Sequence, residues 1–301
     1  MPIVFVVLII FFIPEPVFAW GPSSHLVFTS YILTHLSVIA SVPVKKILAS
    51  SQLDFFYGCI APDIFVGKGS LPKKHHSHNW ETGFKIYKKA GSDSEKGFAL
   101  GYLTHLSADA VSHNFFVPFN LFSKKIKSLS LSHIYWELLF DMKLPEFYRD
   151  FACFLVEFHN PENDSFLKKN ISYNKTFSMR KSLFYNIIKM QNAKILSKAM
   201  KTPRFSKKIL VLNDDIFDKF IKTNIGICID VINNLDSSFV CDYDPVGSEN
   251  LTASPYLSNL NDGNPFILPE ILKINAIKNF NFKFLSNFTN YKKFSGFLKK
   301  K

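Results

Sequence analysis

The sequence predicts an all-α fold, and three observations predict it. Apolar residues recur every three or four positions through most of the 301 residues, the spacing of one helix face. Glycine is scarce, 12 in all, which disfavours the turn-dense small all-β architectures. Hydrophobic residues make up 47% and charged residues 20%, enough apolar side chain for a large core and too little charge for a disordered or coiled-coil chain. The length suits one main domain with extensions.

The elements follow in order. Ile3 to Ile13 is an unbroken apolar run, too short to cross a bilayer as a helix and of the length of a signal-peptide core. Pro14 and Pro16 end it, and Val17-Phe18-Ala19 supplies a cleavage site after Ala19 that exposes Trp20 as the new amino terminus. Residues 1–19 are therefore read as a signal peptide of an exported protein, periplasmic or extracellular. From Ser24 to Ser50 the apolar spacing gives a helix and a second short one, with Pro43 as punctuation. Residues 58–78 read as a loop rich in glycine, proline and a Lys-His cluster, and Trp80 to Lys89 returns to helical spacing. A long helix over 94–117 is expected to stop at Pro118, and another spans Ser132 to Met142 before Pro145. The polar, Asn-rich stretch 159–176 reads as an exposed loop. Helical spacing resumes at 178–200 and 214–235, so the main helical domain is taken as residues 20–235. Residues 236–265, rich in Ser, Asp, Asn, Gly and Pro, read as an ordered meander or linker. The last stretch, 270–301, holds eight lysines and one acid, Glu270, interleaved with aromatics, and reads as a helical extension with an apolar stripe beside cations.

Charge narrows the partners. Thirty-six Lys and Arg against 24 Asp and Glu give a net +12, and removing residues 1–19 deletes Glu15 alone, leaving +13. Such a surplus suits an anionic partner, phospholipid or nucleic acid, and composition does not choose between them. The four cysteines, Cys59, Cys153, Cys228 and Cys241, are widely spaced and contain no CxxC pair, so they read as buried apolar residues, Cys228 and Cys241 being the closest possible pair.

The chemistry concentrates in Gly101–His113. Steps of four residues advance about 6 Å along an α-helix, so His105, Asp109 and His113 form one polar stripe on an otherwise apolar helix. The central carboxylate has two oxygens that can face two cations, while each imidazole serves one. A second pair at the same spacing follows, His133 and Glu137. The neighbours Leu103, Leu106, Ala108, Ala110, Val111 and Phe115 are apolar, and burying ionisable groups among them is costly unless cations compensate.

On these residues the chain resembles the bacterial zinc-dependent phospholipases C, whose helical fold is shared with the S1/P1-type nucleases. The resemblance spans residues 20–140. Its parts are Trp20, Ser24-His25-Leu26, Ala61-Pro62-Asp63, His78 with Glu81-Thr82-Gly83 and the Lys88-Lys89-Ala90-Gly91 run, the His105/Asp109/His113 stripe, and His133/Glu137. It implies an all-α, multi-helix phospholipase C/P1 nuclease-like domain with a trinuclear zinc site. One zinc is assigned to Asp63, His78, His105 and Asp109, a second to His113, His133 and Glu137, and a third to the amine and carbonyl of Trp20 with His25 and Asp109. A free α-amine ligates only when deprotonated, which its modest pKa allows near neutrality, so signal removal becomes an activation step. His75 and His76 compete with His78, which is preferred because it adjoins Asn79–Gly83; Asp54, in an apolar helical run, competes less well with Asp63. His35 and His159 read as structural or surface residues.

Paired cations draw charge from the non-bridging oxygens of a phosphodiester and acidify a water. The implied reaction is phosphoglyceride hydrolysis to diacylglycerol and a phosphorylated headgroup, with Asp63 as general base as well as ligand. The family places an acidic residue shortly after the N-terminal Trp, and Gly21-Pro22-Ser23-Ser24 offers none. The expected partner is a phospholipid surface, with no protein partner and a monomeric chain. The alternatives are a nuclease on the same fold, against which the four-residue Asp109-to-His113 step leans, and a zinc- or lipid-binding envelope protein without turnover.

Overall fold

The structure, a computed structural model, describes residues 21–65, 77–118, 120, 129–157, 160–171, 176–191, 212 and 214–248. The expected signal peptide, Trp20, His75, His76, His159 and the aromatic C-terminal segment lie outside them. Among the described residues every regular element is helical and no strand is present. None of these helices is long and apolar enough to cross a membrane.

Eleven helices are described: α1 Pro22–Thr34, α2 Leu36–Ile39, α3 Val42–Ser50, α4 Gln52–Ile60, α5 Trp80–Lys89, α6 Asp93–Val111, α7 Leu129–Met142, α8 Glu146–Glu157, α9 Pro161–Asn170, α10 Phe177–Gln191 and α11 Asp214–Asn234. Two of them are interior. In α6 every residue from Gly97 to Val111 is buried, and in α1 every residue from Pro22 to Ile32. A helix apolar on all sides belongs inside a bundle, and α6 is enclosed by α4, α5 and α11, with α3, α1 and α9 completing the shell. Trp136, Tyr57, Tyr102 and Tyr148 are the bulkiest of the fully buried side chains.

α6 starts from a reciprocal cap: Ser92 accepts from the Glu95 amide while Glu95 accepts from the Ser92 amide. Its contact with α4 is backbone to backbone. A Cβ on Gly101 would lie 2.2 Å from the Phe55 carbonyl oxygen, and one on Gly58 2.0 Å from that of Phe98. Only glycine lets these two helices approach so closely, and that approach sets the distance between their functional groups.

Three sequence expectations change. Residues 58–64 are helical rather than loop, since α4 runs to Ile60 and a 3₁₀ turn, Ala61–Ile64, follows. The stretch 159–176 contains a full helix, α9. Asn160 accepts from the Asn163 amide, Pro161 opens the helix, Glu162 and Asp164 stand in the first turn and Lys168 and Lys169 in the last. These terminal signals outweigh the polar composition. Pro118 does not stop the central helix, because residues 117, 118 and 120 are still helical. A wide π turn, Ser112–Phe116, precedes it, with the Val117 amide bonding to Ser112 five residues back. That turn displaces the carbonyl ladder the proline ring would otherwise meet. Residues 235–247, within the stretch read as an ordered meander or linker, form two 3₁₀ turns and a strap lying on the domain.

Candidate metal centre

Asp109, on the last turns of α6, is fully buried and stands between imidazoles from three segments. Its Oδ1 lies 3.3 Å from His25 Nε2 on α1. Its Oδ2 lies 3.1 Å from His78 Nε2 and 3.1 Å from His105 Nε2, one α-helical turn back on α6. Asp63, on the 3₁₀ turn after α4, brings Oδ1 to 3.1 Å from His78 and 3.8 Å from His105. His78 and His105 approach each other at 2.9 Å through their Nε2 atoms, and the His25 ring stacks on His105 with centroids 3.9 Å apart. All five residues are buried.

Three of the candidate histidines are held from behind. His105 Nδ1 donates to the Cys59 carbonyl at 2.8 Å, which α4 presents through its close contact with α6. Because a carbonyl only accepts, Nδ1 carries a proton, and the ring is held with Nε2 turned towards Asp109. His78 Nδ1 lies 3.0 Å from Ser77 Oγ, and the Tyr102 hydroxyl donates to the Ser77 carbonyl at 2.5 Å. One residue later Asn79 caps α5 by accepting from the Thr82 amide. His113 Nδ1 donates to the Pro245 carbonyl at 2.5 Å, leaving Nε2 to face Glu137 Oε1 at 3.9 Å. The strap is fastened on both sides, by Trp80 Nε1 to the Tyr243 carbonyl and by Asn114 Nδ2 to that of Asp244.

This arrangement concentrates lone pairs in a dry interior. Neither Asp109 oxygen and neither His25 ring nitrogen makes a hydrogen bond of proper geometry among the described residues, although imidazole nitrogens lie close by. Burial, then the neighbouring His105, holds His25 below its ordinary pKa, so it is neutral at pH 7. Burial pushes the Asp109 carboxyl up, but the imidazoles, His105 foremost, outweigh it and keep the group well below the usual carboxylate range. Imidazole nitrogens and an ionised carboxylate converging on one volume are the donor set of a divalent cation, and two triads have the mutual spacing for one: His25, His105 and Asp109, and Asp63, His78 and His105.

The family model described as zinc-dependent phospholipase C matches residues 24–202, more than half of the chain. The chain belongs to that family. Comparison with curated proteins and with solved structures finds no match. This member of the zinc-dependent phospholipase C family is accordingly a hydrolase of the all-α phospholipase C/P1 nuclease-like fold, with zinc as its metal and lipid as its class of substrate.

The structure sorts the sequence candidates. It brings His25, Asp63, His78, His105 and Asp109 into one cluster and sets His113 against Glu137. His113 does not stay on a straight α-helical stripe with Asp109, because the π turn begins at Ser112 and re-aims it towards α7 and the strap. His133 lies on α7 one turn before Glu137, and its side chain is outside the described residues. Asp54 is occupied elsewhere, accepting from Asn163 and Asn160 at the start of α9. His35 closes α1 and stacks on Tyr31. The four cysteines are free; burial pushes the Cys228 thiol up to about 12 and that of Cys59 higher still.

Sequence reasoning missed one buried acid, Asp141. It accepts from the Ser23 and Ser24 amides, both at 3.1 Å, and from the Ser24 hydroxyl. Burial pushes its carboxyl up to about 6, with the hydrogen bonds from Ser24 and Ser23 pulling the other way. A signal was present: 133, 137 and 141 share the same four-residue step.

Proposed function

We propose that this protein is an exported phospholipase C that hydrolyses phosphoglycerides at a trinuclear zinc site completed by the amino terminus released after Ala19. The observation that carries the reading is the division of labour at Asp109, with His25 on one oxygen and His78 and His105 on the other. A carboxylate so flanked would hold a cation with each of its oxygens. Asp63, His78, His105 and Asp109 would hold one zinc; His113, His133 and Glu137 a second; His25, Asp109 and the amine and carbonyl of Trp20 the third. The apolar run Ile3–Ile13 and the Val17-Phe18-Ala19 site support export and cleavage.

Bound zinc would supply positive charge for the non-bridging phosphate oxygens and lower the pKa of water. The protein's own groups do the rest. His105 and His113 are fixed in the tautomer that turns Nε2 inward by the carbonyls of Cys59 and Pro245. Asp63, whose Oδ1 lies beside His78, would serve as ligand and take the proton of the attacking water. The water oxygen bonds to phosphorus, the bond from phosphorus to the glycerol oxygen breaks, and the proton passes to that oxygen. Diacylglycerol and a phosphorylated headgroup leave.

The test is turnover by the chain beginning at Trp20, with and without chelator, on phosphatidylcholine vesicles and on single-stranded DNA. Phospholipid hydrolysis lost on chelation and restored by zinc supports the proposal. Cleavage of DNA alone moves the protein to the nuclease branch of the fold, and bound metal without either activity makes it a binding protein.

A further inference from the structure

α1 delivers His25 to the metal cluster from a start that its own sequence does not cap. The N-cap is Gly21, which has no side chain to accept from the first free amides, and Pro22 follows it. The acceptor comes from 117 and 118 residues away: Asp141 takes the amides of Ser23 and Ser24 and the Ser24 hydroxyl, fully inside the protein. The fit is tight: a Cβ at Gly21 would lie 2.0 Å from Asp141 Oδ2 and would displace that carboxylate. The three hydrogen bonds of the Asp141 carboxylate and its close packing against Gly21 thus fix one point of the chain. That point is one residue after Trp20 and four before His25.

Asp141 also sits one turn after Glu137 on α7. The helix that faces His113 with one carboxylate therefore clamps the start of α1 with the next. We propose that Asp141 is a positioning residue, seating the amino-terminal segment so that His25 and the released Trp20 amine reach Asp109 together. It acts on the backbone rather than on substrate. The inference rests on the trinuclear reading above and names what organises its third metal position.

The experiment compares the chain beginning at Trp20 with Asp141→Ala and Asp141→Asn, first stripped of metal and then loaded with zinc. In the metal-free proteins, amide exchange at Ser23 and Ser24 should be at least about tenfold faster in Asp141→Ala, with Asp141→Asn between, while Leu100–Ala108 on α6 stays protected. Loaded with zinc, the wild type should hold three ions and Asp141→Ala two. Unchanged exchange at Ser23 and Ser24 overturns the inference, and so does faster exchange with the wild-type zinc count retained. Should Asp141→Ala not fold, Asp141→Asn carries the same two readouts. A wild-type count below three overturns the trinuclear reading itself, and this inference with it.

Discussion

Substituting Gly101 by alanine tests whether the approach of α4 to α6 aligns the metal centre. The new methyl would lie 2.2 Å from the Phe55 carbonyl oxygen and 2.8 Å from the Cys59 nitrogen, both backbone atoms that cannot swing aside. Ordinary contact begins at 3.4 Å, so the helices must part by about 1 Å. The His105 hydrogen bond to the Cys59 carbonyl, 2.8 Å long, then stretches out of range. Overpacking costs about 1–3 kcal/mol and a buried bond left unmade about 1–3 more, against about 1 kcal/mol gained from helix propensity. The net is a loss of about 1–5 kcal/mol, large beside a total stability of about 5–15. Urea unfolding of the metal-free protein reads the first effect. Competition with a chromophoric chelator reads the second, a zinc affinity about 10–100-fold weaker because His105 is no longer oriented from behind. Gly91→Ala is the control, since its Cβ would meet only the Glu95 carboxylate at 3.5 Å. Wild-type stability and zinc affinity in Gly101→Ala would refute the reasoning.

Asp109→Asn should abolish turnover and lower the bound zinc, because an amide carries no charge and offers one neutral oxygen with an NH2 donor on the other side; full activity would remove Asp109 from the bridging role. Asn160→Ala should cost about 1 kcal/mol in urea unfolding through loss of the α9 cap, with zinc content unchanged. Stability should also respond to pH through Asp141. Its folded-state pKa of about 6 lies above the ordinary 3.8, so the folded protein holds that proton more tightly. The resulting stabilisation is complete below pH 3.8 and is lost as pH rises through about 6, amounting to about 3 kcal/mol. Relative to Asp141→Asn, the metal-free wild type should lose stability between pH 4 and 7; a constant difference would contradict the burial of an ionisable group there.

What the sequence disclosed was whatever is written in local spacing. The interior helices α1 and α6, the helices α5 and α11, and the His105–Asp109 step all follow from residues three or four apart, and the structure keeps them. What it hid depends on partners far along the chain or on terminal signals outvoted by composition. α9 was concealed by polar residues that are in fact its caps. The π turn that re-aims His113 leaves no mark in a four-residue count. Asp141 is silent because its partners are backbone amides more than a hundred residues away, and the Cys59 and Pro245 carbonyls that orient His105 and His113 have no side-chain signature at all.

The most direct test is anomalous diffraction at the zinc edge from crystals of the chain beginning at Trp20. The account predicts zinc on both sides of the Asp109 carboxylate, one ion towards His25 and one towards His78 and His105, with a third beside His113 and Glu137. A zinc-soaked crystal with no peak within coordinating distance of Asp109 would contradict it.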